Sequence, residues 1–426
     1  MLASLIAAFK LPDLRKRILF VFAMFGVFVV GLHIPVPGIN HEAMKRLFEH
    51  GGLLNMLDMF SGGAFKRYTI FAMGIAPYIN ASIIMQLLTV AVPSLEALSK
   101  EGEHGRKKIS QYTRYLTVIL GLVQAYGMNR LLEGAGVLHA SFFTKCQIMI
   151  TLAAGTAFLM WVGEQITDRG IGNGVSLIIF AGIVASLPPQ ILRTAELTMS
   201  GSVSPFQTIL LIALFVGTVF GVVAIQQAQR KIPIQHVKRV VGNKIYQGSS
   251  SFLPLRVNSA GVIPIIFAIS IELFPQTIAQ FGNTRLGILY HPIDWIAKTL
   301  QPGTTIGAII YTLLIVFFTY FYTAITFQVP EVADNLKKYG SFIPGIRPGK
   351  PTVEYLDRVM TRITLAGAIF LSIIALMQYI APGITGITTF TLAGGTSLLI
   401  LVGVALETMQ AIEAHLMMRN YEGFIK

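Results

Sequence analysis

The side chains able to carry proton, nucleophile or metal chemistry are few within the apolar stretches of this sequence of 426 residues. His33 is alone in its apolar run and reads as a terminal or packing imidazole rather than a ligand. No HExxH segment sets two imidazoles on one helix face, and nothing pairs a nucleophile with a base or one carboxylate with another. Cys146, the one cysteine, excludes an internal disulfide and a cysteine-rich metal site, and its thiol reads as packing. A phosphate-cradling P-loop is absent, so work drawn from ATP must come from a partner. Two carboxyls remain, Glu272 and Glu407, each within an apolar stretch. Ionisable groups there are costly and commonly serve ion or proton coupling. They keep a solute transporter open as one reading, although neither has an evident partner. Hydrolysis and group transfer find no machinery, and no cofactor is expected.

The elements that position these residues are dictated by the solvent. Hydrophobic residues make up 54% of the chain and charged ones 12%, more apolar surface than a water-soluble core can enclose. Roughly 20 apolar residues cross a bilayer as a helix. Such runs recur near 18–36, 69–92, 115–133, 147–164, 171–189, 206–228, 257–279, 304–328, 363–381 and 390–412. The expected fold is an all-α polytopic membrane protein with ten transmembrane helices. The first run follows Arg15, Lys16 and Arg17 and passes Val30 without a small-residue cleavage pattern, so it reads as a span rather than a signal peptide.

Orientation follows from the 33 basic and 20 acidic residues, whose distribution is uneven. Lys100, Arg106, Lys107 and Lys108 share one side with Arg230, Lys231, Lys238, Arg239, Lys244 and Arg256, and with Lys337, Lys338, Arg347, Lys350 and Arg358. The positive-inside rule makes that side, and both termini, cytoplasmic. Only the first outer segment, with Lys45, Arg46, Lys66 and Arg67, breaks the pattern. Two basic cytoplasmic loops, near 230–256 and 329–362, are too long for plain connections. They either attract anionic lipid headgroups or dock a cytoplasmic partner.

Ten spans divide into halves of five, 1–190 and 191–426, which an odd number of crossings sets inverted in the membrane. Inverted repeats commonly enclose a central passage. The second span contains GIAPYINAS, with Pro77 and Asn80; the fifth opens on GIGNGVSL, with Gly172 and Gly174; the seventh opens on NSAGVIP, with Gly261 and Pro264. Irregular backbone at membrane depth is tolerated beside protein or water, so three such helices point to a cavity, although glycine and proline also serve close packing. From Leu53 to Ala64 the chain is apolar but too short to cross. Such a segment lies on the interface or folds back into a cavity, and the second arrangement holds Lys66 and Arg67 at the outer surface.

Four longer segments narrow the choice: KEGEHGRKKISQYTRY at 100–115, WVGEQITDRGIGNGVSL at 161–177, LPLRVNSAGVIP at 253–264 and NLKKYGSFIPGIRPGKPT at 335–352. Together they resemble the signature segments of the SecY family, in the same order and on the same helices and loops, and the resemblance covers essentially the whole chain. It implies a central hourglass pore through which unfolded polypeptides cross and from which transmembrane segments leave sideways. MFSGGA matches the family's plug, which then comprises Leu53, Leu54, Met56, Leu57, Met59, Phe60, Ser61, Gly62 and Gly63. The pore ring carries over to Ile75 and Ile79 in GIAPYI, Val175 and Ile179 in GIGNGVSLII, Ile266 in GVIPII and Ile400 in GGTSLLI. Val175 is an aliphatic variant of a position that is often isoleucine. Residues four apart project from one helix face, and a narrow apolar constriction dewets and bars ions while its side chains part around a passing chain. The lateral seam is expected between spans two and three on one side and seven and eight on the other. Asn80 and Gln124 are its candidate polar residues, although such amides also serve as plain helix-to-helix hydrogen bonds.

The resemblance also gives the basic loops a partner: the ATPase SecA or a ribosome, docked at different times. Arg347, in PGIRPG, matches the position most closely tied to SecA coupling, with Lys350 beside it and Arg239, Lys244 and Arg256 in the other loop. In GNKIYQGSSSFLPL, Ser249 and Phe252 stand where Gln and His or Tyr are more typical, so the contacts of that loop differ in detail. Further implied partners are SecE and SecG subunits, signal peptides, nascent or unfolded polypeptides and membrane lipid, with no sequence-specific nucleic acid. The implied location is a bacterial plasma membrane.

Overall fold

The computed structural model of the chain describes residues 8–37, 39, 44, 58, 61–138, 141–236, 239–241, 244–246, 250–279, 290–300, 304–387 and 395–423. A helix stands on each of the ten apolar runs. The first half holds α1 (Pro12–Gly31), a short outer helix α2 (Ala64–Arg67), α3 (Ala76–Ala91), α4 (Pro93–Lys100), α5 (Glu103–Gly134), α6 (Phe142–Arg169) and α7 (Gly174–Met199). The second holds α8 (Pro205–Gln227), strands β1 (Gln229–His236), β2 (Arg239–Val241), β3 (Lys244–Tyr246) and β4 (Ser250–Arg256), then α9 (Ile263–Ala279) and α10 (Tyr290–Thr299). It closes with α11 (Thr305–Thr326), α12 (Val329–Lys338), β5 (Ser341–Phe342), α13 (Lys350–Thr385) and α14 (Thr396–Gly423).

Among the described residues, six helices are long and apolar enough to cross a membrane alone, or seven if the bent pair α3 and α4 counts as one span. The others fall short for local reasons. Basic residues occupy the first turns of α1, Gln124, Asn129 and Arg130 interrupt the apolar stretch of α5, and α9 starts only at Ile263. The starts of α3 and α9 correct the sequence expectation. Pro77 and Pro264 do not break a helix; each sits in the first two positions of one, where a missing N–H costs nothing. The backbone from Ile70 to Ile75 runs as turns instead, and α3 bends by 98° into α4 at Pro93. Other helix starts use side-chain caps: Asn173 accepts from the Val175 and Ser176 amides, and Ser204 forms a capping box with Gln207.

Within the first half α3 packs on α5, α5 on α6, and α6 on α7 and α1. Within the second, α9 packs on α11, α11 on α13, and α8 on α13 and α14. The halves meet where α7 lies against α14 and where α9 lies against α3 and α5. Large apolar side chains such as Phe206, Phe220 and Leu313 remain exposed on the outer helix faces. Lipid tails are as apolar as leucine, so helix association there rests on close packing rather than on hydrophobic burial.

The two loops expected between helices are partly strand. β1 pairs antiparallel with β4, Gln229 opposite Arg256 and Gln235 opposite Ser250, and also with β5 from the other loop, His236 opposite Ser341. The resulting sheet, in the order β4-β1-β5, joins both basic loops into one body over a core of Ile232, Leu255, Val329, Ile343, Leu356 and Met360. The Ser341 hydroxyl and His236 Nδ1 bond at 2.7 Å across it.

Candidate functional site

The six residues expected to form the ring come from α7, α9, α14 and the start of α3 and belong to one hydrophobic cluster. Ile75, Ile179 and Ile400 are buried in it, and Ile79, Val175 and Ile266 are partly buried against it. Ile75 precedes the first turn of α3, yet the Ile79 amide donates to its carbonyl at 3.1 Å, so the two remain one turn apart. Val175 and Ile179 occupy the first two turns of α7, fixed by the Asn173 cap. The contributing helices α3, α7, α9 and α14 all take part in the contact between the two halves, which α5 shares through α9. Chemically the site offers branched aliphatic carbon and no charge.

Of the plug residues, Ser61, Gly62 and Gly63 are described; Leu53, Leu54, Met56, Leu57, Met59 and Phe60 lie outside the described residues. Asp58 organises the turn that follows. Its carboxylate accepts from the Lys66 amide at 2.7 Å and its carbonyl from the Ser61 hydroxyl at 2.9 Å, while the Ser61 oxygen accepts from the Phe65 amide at 3.1 Å. Burial raises the Asp58 pKa, against the opposing pull of the Lys66 amide and the Lys66 and Arg67 charges. Gly62 has φ 70°, and a Cβ there would stand 2.9 Å from Gly182 Cα on α7. That approach admits only glycine.

Asn80 on α3 and Gln124 on α5 are half-buried, and α9 packs on both helices. α11 packs on α9 from the other side. On the sheet side, Arg347 is exposed at the tip of a turn whose glycines, Gly345 and Gly349, adopt φ 81° and 103°. Its carbonyl accepts from the Thr352 hydroxyl at 2.8 Å, which leaves the guanidinium outward. Lys350 is exposed in the first turn of α13, and Arg256 is exposed at the end of β4. Arg239 and Lys244 lie in the paired strands β2 and β3, but their side chains are outside the described residues.

Several polar contacts escaped sequence reasoning. His33 is not alone: its Nε2 accepts from Arg67 at 2.9 Å while Nδ1 bonds the Val29 carbonyl at 2.9 Å. Arg114 and Glu164 pair at 2.7 Å between α5 and α6. Of the two membrane carboxyls, Glu272 is 2% exposed, near Tyr311 and Tyr379, whereas Glu407 lies exposed at the edge of a polar cavity. Cys146 is a half-buried free thiol. No group of three or more His, Cys, Asp or Glu side chains able to hold a metal occurs among the described residues.

The chain is similar to known proteins over most of its length. A family model described as SecY matches residues 69–409. A protein translocase subunit SecY from Streptomyces galbus is 46% identical over 443 residues, covering 100% of both chains. Among solved structures, one concerns the plug domain of a SecY protein, which stabilises the closed state of that translocation channel and maintains a membrane seal. It superposes with a TM-score of 0.66 at 21% identity, covering 94% of this chain and 92% of its own. A channel in the canine ribosome-channel complex from the endoplasmic reticulum superposes with a TM-score of 0.63 at 20% identity, covering 94% and 92%.

Proposed function

This chain belongs to the SecY family, and from that premise we propose how its residues divide the work of a protein-conducting channel. The chain is a multi-pass membrane protein and the pore-forming subunit of a translocase, a conduit rather than an enzyme. Unfolded polypeptides cross through it, and sufficiently apolar segments leave it sideways into lipid. The proposal assigns the constriction to Ile75, Ile79, Val175, Ile179, Ile266 and Ile400. The single observation that carries it is that all six residues belong to one apolar cluster and lie on, or at the start of, helices that take part in the contact between the halves. An apolar constriction denies an ion its hydration, yet its side chains part around a chain.

Residues 53–63 are assigned to the plug. The contact of Gly62 with Gly182 supports this, because it seats the segment's end against a ring helix. Gly62→Ala introduces a left-handed alanine, costing roughly 1–2 kcal/mol, and a Cβ against the α7 backbone. About 1.4 kcal/mol is a tenfold shift in an equilibrium. The expected result is a channel that still translocates polypeptide but shows about tenfold more resting open events in a planar bilayer. A resting current equal to that of the parent would remove Gly62 from the seal.

The lateral seam is assigned to the contact of α3 and α5 with α9, flanked by α11, with Asn80 and Gln124 at its polar edge. In a Cys146→Ser background, Asn80→Cys paired with a cysteine on the facing turn of α9, at a Cα separation below about 7 Å, forms a disulfide. Translocation stops when the bond is oxidised and returns on reduction. Full transport by the oxidised protein would contradict the seam. The sheet face, bearing Arg256, Arg347 and Lys350 with Arg239 and Lys244 in its hairpin, is assigned to docking of the SecA ATPase or a ribosome. That face and both termini are taken as cytoplasmic, in a bacterial plasma membrane, with SecE and SecG as companion subunits. The basic charge gathered on this one face supports the orientation.

A further inference from the structure

A polar cavity of about 160 Å³ lies on the side of the ring where the sheet stands, between the ends of α8 and α11, the middle of α14 and the link from β4 to α9. Gln226, Arg256, Asn258, Tyr322, Glu407 and Gln410 border it. None belongs to the ring or the plug. Asn258 is 5% exposed, and its Nδ2 donates to the Gly261 carbonyl at 3.0 Å. That bond fixes the amide and leaves Oδ1 buried without a donor; Gln226 Nε2 is likewise enclosed without an acceptor. Buried polar atoms left open in this way are costly unless water or a ligand fills them. Glu407 forms no ion pair among the described residues, although Arg256 borders the same space. Gly261, at φ 64°, keeps the wall low: a Cβ there would stand 3.1 Å from Glu407 Oε1.

The space corresponds to roughly five waters at about 30 Å³ each, which also accommodates a long side chain. Its open groups comprise one acceptor, one donor and a carboxylate. An amide acceptor beside an amide donor is complementary to the main-chain N–H and C=O of an extended peptide, and the carboxylate is complementary to a basic side chain. Glu407 follows Ile400 by two helical turns on α14, about 10 Å along its axis. A chain approaching the ring from the sheet side therefore reaches the level of the cavity before that of the ring.

We propose that this cavity is a binding site for an extended segment of the polypeptide entering the ring. Asn258 Oδ1 accepts a main-chain N–H, Gln226 Nε2 donates to a main-chain carbonyl, and Glu407 pairs with a lysine or arginine side chain. Main-chain recognition is blind to sequence, as a conduit for many clients requires, and Glu407 adds a preference for a basic residue. The proposal rests on the channel reading above.

The test uses the full chain with its companion subunits in a Cys146→Ser background, carrying either Gln410→Cys in the cavity or Ile266→Cys in the ring. The probe is a stalled client with one lysine-bearing segment and a single cysteine moved stepwise along it. Disulfide yield with Gln410→Cys should peak beside the client lysine. It should fall about two- to fivefold when that lysine or Glu407 is replaced by glutamine, the range an exposed ion pair supplies. A flat yield along the client, or no fall on either replacement, overturns the proposal. So does a bond from Gln410→Cys to a companion subunit instead of the client. A bond at Ile266→Cys with none at Gln410→Cys removes the cavity site and leaves the channel standing; failure at both positions removes the channel reading as well.

Discussion

With Ile75, Ile79, Ile179 and Ile266 replaced together by serine or asparagine, the channel at rest conducts ions at least about tenfold better than the parent. That increase needs the ion barrier to fall by only about 1.4 kcal/mol. The four side chains supply most of the apolar carbon of the proposed constriction, and hydroxyls or amides in their place let water wet it. The same change loosens selection for functional signal sequences, because a wetter ring opens with less client binding. Ile75 and Ile179 are buried in the central cluster, and truncating a buried isoleucine costs about 2–5 kcal/mol. A single Ile79→Asn, at a half-buried position, keeps the readout should the quadruple variant fail to assemble. Single-channel recording decides the matter: a polar ring as ion-tight as the parent returns these positions to packed membrane core.

Arg347→Glu abolishes ATPase-driven translocation while the protein still assembles in the membrane. The guanidinium sits at the tip of a glycine-flanked turn whose backbone is held by Thr352, so no buried contact depends on it. Exposed substitutions of this kind usually change stability by no more than about 0.5 kcal/mol. Docking is another matter, since reversing a charge in a complementary interface places like against like. Lys350→Glu is exposed one turn further on and should lower transport less, because the first turn of α13 favours an acidic residue. ATP-driven transport and membrane-extracted yield, measured on the same preparations, separate the two effects. Unchanged transport by Arg347→Glu would remove the turn from the docking surface.

Much of the scaffold was legible because lipid demands it. A helix stands on every run of about 20 apolar residues, and basic residues cluster in the connections that the sheet now occupies. Helix starts were less legible. Apolar composition runs continuously from Thr69 to Val92, but the chain is helical only from Ala76, because Pro77 fits a first turn and Gly74 takes φ 55° just before it. The sheet was hidden for a different reason. β1 and β4 read as basic loop because most of their exposed side chains, Phe252 excepted, are charged or polar and each carries a proline, whereas the residues that bury them, Ile232 and Leu255, are only a few.

The site divides along the same line. The proposed ring positions were accessible through motif resemblance, and their membership of one apolar cluster depends on contacts between helices far apart in sequence. Nothing in the sequence joins His33 to Arg67, 34 residues away, or orients Asn258 so that its carbonyl oxygen is left open. Such facts need three dimensions, since they are set by which polar atom has already been used by the backbone.

The most direct test of the central claim is a protection assay in sealed vesicles. The chain is reconstituted with its companion subunits, the motor ATPase and ATP, and an unfolded secretory polypeptide bearing a signal sequence is added outside. If the chain is a protein-conducting pore, full-length polypeptide becomes resistant to external protease, and resistance is lost when detergent opens the vesicles. Vesicles in which no polypeptide is ever protected, yet in which the purified chain alone accumulates small solutes, would contradict the account and return Glu272 and Glu407 to the role of coupling groups in a transporter.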